Sequence, residues 1–164
     1  VTGPRFTEPP RFNHVALSLP ASDLDAAGRA AIVEFYGDLL GAAEYPELTR
    51  DRAQLVLGLH THEQFIFLVA DAEPMRAPAM DHVGVSVSTY GDFEEVARRA
   101  EAWQRRAPDE VEVIEPTSED FAGVLRLHSF YVRYRLPVMI EVQHFELLHG
   151  GPAGSVGSGP DARS

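Results

Sequence analysis

The chain contains no cysteine, which excludes disulfides and thiolate metal sites alike. It contains no lysine either: its 14 basic residues are all arginine, set against 25 Asp and Glu, for a formal net charge of -11. That balance repels phosphate backbones, and no basic stripe with interleaved aromatics is present, so a nucleic-acid partner is not expected. No apolar run approaches the roughly 18–20 residues that span a bilayer, so a membrane partner is not expected. The first residues also lack the apolar stretch of a signal peptide, and the expected location is the cytoplasm.

What remains is ordinary globular composition: 164 residues, 45% hydrophobic and 24% charged. This suits one compact unit. Residues 1–11 carry Pro4, Pro9 and Pro10 without periodicity and read as an N-terminal tail. Residues 148–164 are rich in Gly, Ser and Pro and read as a flexible C-terminal tail.

Between the tails lies a repeat. The run from His14 to Leu19 (HVALSL) matches the run from His82 to Val87 (HVGVSV) at an offset of 68. The run from Val56 to His60 (VLGLH) matches Val124 to His128 (VLRLH) at the same offset. Two copies of one module follow, over residues 12–71 and 80–147, joined by a linker at 72–79. The period is too long for a solenoid.

Each copy predicts the same element order. A β-branched strand opens it, over His14–Leu19 and His82–Ser88. A helix follows. In the first copy Ser22 is the expected cap, Leu24, Ile32, Phe35, Tyr36 and Leu39 recur at helical spacing, and Gly41 is the stop. In the second copy Asp92 is the expected cap of a helix from Phe93 to Arg106, ended by Ala107 and Pro108. Three strands complete each copy: Glu44–Thr49, Gln54–Thr61 and Gln64–Ala70, then Glu110–Glu115, Val124–Arg135 and Val138–Phe145. The expected class is α+β, with the order β-α-β-β-β twice.

Three residues stand out chemically. His14 and His82 open equivalent strands, so pseudo-twofold symmetry gives them equivalent places. Glu141 interrupts the apolar run Val138, Met139, Ile140, Val142, and alternation puts it on one face with Met139 and Gln143. A carboxylate there is costly to bury unless it is paired or ligates a metal. Two imidazoles and one carboxylate form a known open site for a divalent ion. His128 is a candidate general base, although alternation puts it on the face opposite Tyr131. The alternative for each is structural: a half-buried histidine bonded to backbone, and His60 and His128 as matched strand residues left by duplication. Arg126, Arg133 and Arg135 either clamp an anion or form a solvated face.

The segments Phe12–Leu17 and Met80–Val85, the helix ending Glu34–Gly41, and Val138–Gln143 together resemble the vicinal oxygen chelate superfamily. That group includes glyoxalase I, methylmalonyl-CoA epimerase, extradiol dioxygenases and bleomycin-binding proteins. The resemblance implies two βαβββ modules forming an eight-stranded, cup-shaped sheet. It implies a metal inside held by His14, His82 and Glu141, a small organic substrate, and a homodimer. Phe67 stands where isomerases of the group carry a fourth ligand. Three ligands, with Tyr131 ten residues before Glu141, suit extradiol dioxygenases better; Tyr131 is the catalytic residue that the resemblance implies, beside His128 as the candidate base read from its own chemistry. Other features of those enzymes are absent, and Arg133–Pro137 replaces their usual turn.

Fe(II) or Mn(II) is the first expectation for the metal, with Zn, Ni or Co as alternatives, for ring cleavage or isomerase or lyase chemistry. The competing reading is a metal-free cup that binds a small molecule or antibiotic. A degenerate structural module is a third.

Overall fold

The computed structural model describes residues 10–148, so both expected tails lie almost wholly outside the described residues. The elements are β1 (His14–Leu19), α1 (Ala26–Leu40), β2 (Ala43–Glu44), β3 (Gln54–Gly58), β4 (Phe65–Ala70), β5 (His82–Ser86), α2 (Tyr90–Arg106), β6 (Val111–Phe121), β7 (Leu125–Tyr134) and β8 (Met139–Leu147). The α+β class and the doubled β-α-β-β-β order are both present. The eight strands form two four-stranded sheets, ordered β1-β4-β3-β2 and β5-β8-β7-β6. In each, the first strand runs parallel to the last and the other ladders are antiparallel. No ladder joins the sheets. Their edge strands β1 and β5 border the same two cavities, which Val15 and Val83 both line. No helix among the described residues is long and apolar enough to cross a membrane.

Local chemistry sets the element ends, and it moves several of the expected ones. Helix α1 is capped by Asp25, whose carboxylate accepts from the Gly28 amide at 2.9 Å; Ser22 lies instead in a short 3-10 turn. Gly41 ends α1 in the left-handed region at φ 69, where a side chain would be strained. Helix α2 starts earlier than expected because Thr89, not Asp92, is its cap. The Thr89 hydroxyl accepts from the Asp92 amide and donates to the Asp92 carboxylate. The expected strand over Glu44–Thr49 shrinks to Ala43–Glu44, since Pro46 opens a 3-10 turn there. Strand β6 runs on to Phe121, past the expected Glu115, across a bulge between Ile114 and Thr117.

One core joins the modules. Leu17, Leu55, Leu57, Ile66 and Leu68 share the inner face of the first sheet, and Phe130, Val132, Ile140 and Val142 that of the second. Aromatic contacts tie α1 to the second module: the Phe35 ring lies 4.7 Å from Tyr134, tilted, and 5.2 Å from Trp103, edge-on. The buried Tyr36 hydroxyl donates to the Tyr134 carbonyl at 3.0 Å. Asp38 accepts from the Trp103 indole at 2.8 Å, and its carbonyl accepts from Arg99 at 2.7 Å. The helices thus occupy one side of the sheets, and the other face is left for the polar residues.

Strand register tests the repeat directly. In the first module Ala16 pairs with Phe67 and Phe67 with Val56. In the second, Gly84 pairs with Glu141 and Glu141 with Tyr131. His14 and His82 are therefore structural equivalents, as are Phe67 and Glu141. The equivalent of Val56 is Tyr131, not Val124. The second sequence match is coincidental, and His60 and His128 are not duplicates: His60 follows β3, whereas His128 sits inside β7.

Candidate metal centre

The face away from the helices carries the polar cluster. His82 and Gly84 on β5, Glu141 and Gln143 on β8, and Tyr131 on β7 are brought together by parallel and antiparallel pairing. The His82 Nε2 lies 3.3 Å from the Glu141 Oε2. Glu141 is buried at 6% exposure, while His82 is open to solvent. Gly84 is the register partner of Glu141, two residues along β5 from His82, and a Cβ there would come within 3.9 Å of the Glu141 Oε2.

Each partner of this pair is itself held. The His82 Nδ1 lies 2.8 Å from the Met80 carbonyl, which only accepts, so Nδ1 is the protonated nitrogen. In the neutral ring this leaves the Nε2 lone pair aimed at Glu141. Gln143 donates its amide to the Glu141 Oε2 at 2.8 Å. The Tyr131 ring stands edge-on to His82 at 5.3 Å. A hydrogen bond to Glu141, aided by burial and by the carboxylate charge, pushes the Tyr131 phenol above its usual pKa.

His14 repeats half of this arrangement. Its Nδ1 lies 3.0 Å from the Asn13 side-chain oxygen, which frees Nε2, and its ring stacks on Phe65 at 4.8 Å. It lines a cavity of about 620 Å³, whereas His82 lines a separate one of about 440 Å³ across Val15 and Val83. The structure thus brings His82, Glu141 and Tyr131 together and leaves His14 apart. Among the described residues of one chain, no three His, Asp or Glu side chains gather closely enough to hold an ion. The donor chemistry fits a divalent metal; the donor count within one chain falls short.

The remaining candidates lie elsewhere. His128 is buried on the helix face, its Nδ1 2.7 Å from the Ser118 hydroxyl and its Nε2 3.4 Å from Glu146. His144 lies across from it, with ring centroids 6.0 Å apart. Neither reaches Glu141 through the sheet. Arg126 pairs with Asp120 and Glu146, Arg133 with Glu112 and Arg135 with Glu110, so each arginine already has an acidic partner. Sequence reasoning missed the parts played by Asn13 and Gln143. The signals were available: Asn13 precedes its histidine, and alternation puts Gln143 on the face of Glu141.

No protein-family model matches the chain, and no curated protein matches it. Solved structures do. A lactoylglutathione lyase from Agrobacterium tumefaciens is 19% identical, with 83% of this chain and 94% of that one covered at a TM-score of 0.54. A glyoxalase/bleomycin resistance protein from Albidiferax ferrireducens is 15% identical, with 81% and 98% covered at 0.55. A glyoxalase/bleomycin resistance protein/dioxygenase from Nocardioides is 17% identical, with 93% of each chain covered at 0.51. The chain has the fold of this group, the vicinal oxygen chelate fold.

Proposed function

We propose that the protein is a metal-dependent enzyme of this fold that holds a small organic substrate by its oxygens. His82 and Glu141 of one chain and His14 of a second copy would be the ligands, in a homodimer. The observation that carries the reading is the preparation of both histidines: each Nδ1 is held by an oxygen, which frees Nε2, and the His82 Nε2 lies 3.3 Å from a buried carboxylate. A ring nitrogen tied to an oxygen acceptor is how metal-ligating imidazoles are oriented. A bound divalent ion would supply Lewis-acid polarisation of substrate oxygens.

The chain's own residues do the rest. Gln143 fixes the Glu141 carboxylate. Tyr131, kept protonated by Glu141, is placed to donate a proton or hydrogen bond to a substrate oxygen. His128, on the other face, takes no part in that step. Oxygenation is the first assignment on ligand count, with isomerase or lyase chemistry next.

A second reading, a metal-free binding cup, is favoured by one observation: no ligand trio converges among the described residues of one chain. Elemental analysis of anaerobically prepared protein, paired with sedimentation, separates the two. The enzyme reading expects about one metal per chain, on a dimer that His14→Ala weakens. Metal-free protein that stays free after reconstitution with Fe(II), Mn(II), Co(II), Ni(II) and Zn(II) would leave the binding cup.

A further inference from the structure

The cavity of about 620 Å³ is lined by His14 but lies apart from the His82–Glu141 pair. Neither Glu141, Tyr131 nor His82 lines it. It opens at the seam where β1 meets β5 and is bounded by the C-terminal end of α1 and the first turns of α2. The volume falls within the roughly 300–1,000 Å³ of small-molecule sites.

Its chemistry is asymmetric. Leu39, Leu59, Ile66, Val85 and Val96 make an apolar wall. Val83, Val85 and Val87 keep part of their surface exposed along it, so the seam is not closed by the chain's own side chains. Asp92 is the acidic lining residue, Ser86 and Ser88 supply hydroxyls, His14 and His60 supply imidazoles, and no arginine lines the cavity. Thr89 occupies Asp92 Oδ2 at 2.6 Å, which leaves Oδ1 to accept from a ligand. The end of α1 contributes the partial negative charge of a helix C-terminus to the same space. Asp92 stands in the first turn of α2 and offsets the partial positive charge of that helix end, while the carboxylate and the end of α1 carry the same sign, on a chain whose net charge is -11.

We propose that this seam cavity is a second binding site, taking a small molecule with an apolar body and a protonated amine, the amine held by Asp92. The cavity shares His14 with the proposed metal ligands but none of the His82–Glu141 pair, so variants of that pair separate the two readings.

The test uses the full chain and three matched probes, 4-phenylbutylamine, 4-phenylbutanol and 4-phenylbutyrate, followed by calorimetry. The amine binds best and the carboxylate worst, and Asp92→Asn weakens the amine by roughly fivefold while sparing the alcohol. The asparagine keeps an acceptor for Thr89, so α2 stays capped. Ser86→Phe, at an exposed lining position, removes binding of amine and alcohol while the fold is retained. His82→Ala and Glu141→Ala bind the amine as the parent does. Equal binding of amine and carboxylate, or amine binding that survives Ser86→Phe, would overturn the proposal. So would loss of binding in proportion to dimerisation, which would assign the cavity to a second copy.

Discussion

The two modules share one scaffold and differ in what they place on it. At equivalent register positions the first carries His14, Ala16 and Phe67, and the second His82, Gly84 and Glu141. In the second, a carboxylate buried at 6% exposure, paired in register with a glycine, meets a histidine at 3.3 Å. In the first, the histidine stacks on Phe65, and an aromatic ring stands where the acid would be. The doubled scaffold offers two places for such a pair, and only one is filled with acidic chemistry. The second module also extends β6, β7 and β8 to 11, 10 and 9 residues, against 2, 5 and 6 for β2, β3 and β4.

That asymmetry can be broken or sharpened. The largest effect is expected from removing the acidic half. His82→Ala and Glu141→Ala should each weaken metal binding more than about 100-fold, while His60→Ala and His144→Ala leave it unchanged, as read by metal titration. Next is the attempt to make the modules alike. Phe67→Glu places a carboxylate at the register position of Glu141 and should tighten metal binding about tenfold, or ~1.4 kcal/mol. It should also lower the stability of the metal-free protein, because an unpaired charge replaces a half-buried ring.

A smaller effect concerns the bond between modules. Tyr36→Phe leaves the Tyr134 carbonyl without its buried donor and should cost about 1–2 kcal/mol in denaturant unfolding. The smallest is a pH effect on α2. Hydrogen bonds from Arg98 and Arg99 hold Glu95 at about 2, below the usual 4.5, and Arg99 also reaches Asp38 on α1. A depressed carboxylate stabilises the fold above pH 4.5, and that contribution is lost as pH falls toward 2. Acid unfolding of Glu95→Gln should lack this part of the pH dependence.

The sequence displayed the fold through periodicity. His14–Leu19 appeared at its observed limits, and both helices through their apolar faces, because burial imposes spacing. Caps were less legible: Asp25 and Thr89 each stand within three residues of another plausible cap, and only hydrogen-bond geometry selects between them. The second repeat match misled because a five-residue likeness cannot encode register, which the bulge in β6 and the longer β7–β8 hairpin reset. Alternation paired Glu141 with Gln143 and separated His128 from Tyr131. It could not reveal that His14 stands apart from His82, since that depends on how two edge strands sit along a seam with no ladder between them.

The central claim is that His82 and Glu141 hold a metal. Titration of the metal-free protein with Co(II), followed by visible absorption, tests it most directly. The account predicts a saturable spectrum with nitrogen and oxygen ligation at about one ion per chain, absent in Glu141→Ala. No spectrum, or the same spectrum in Glu141→Ala, would contradict it.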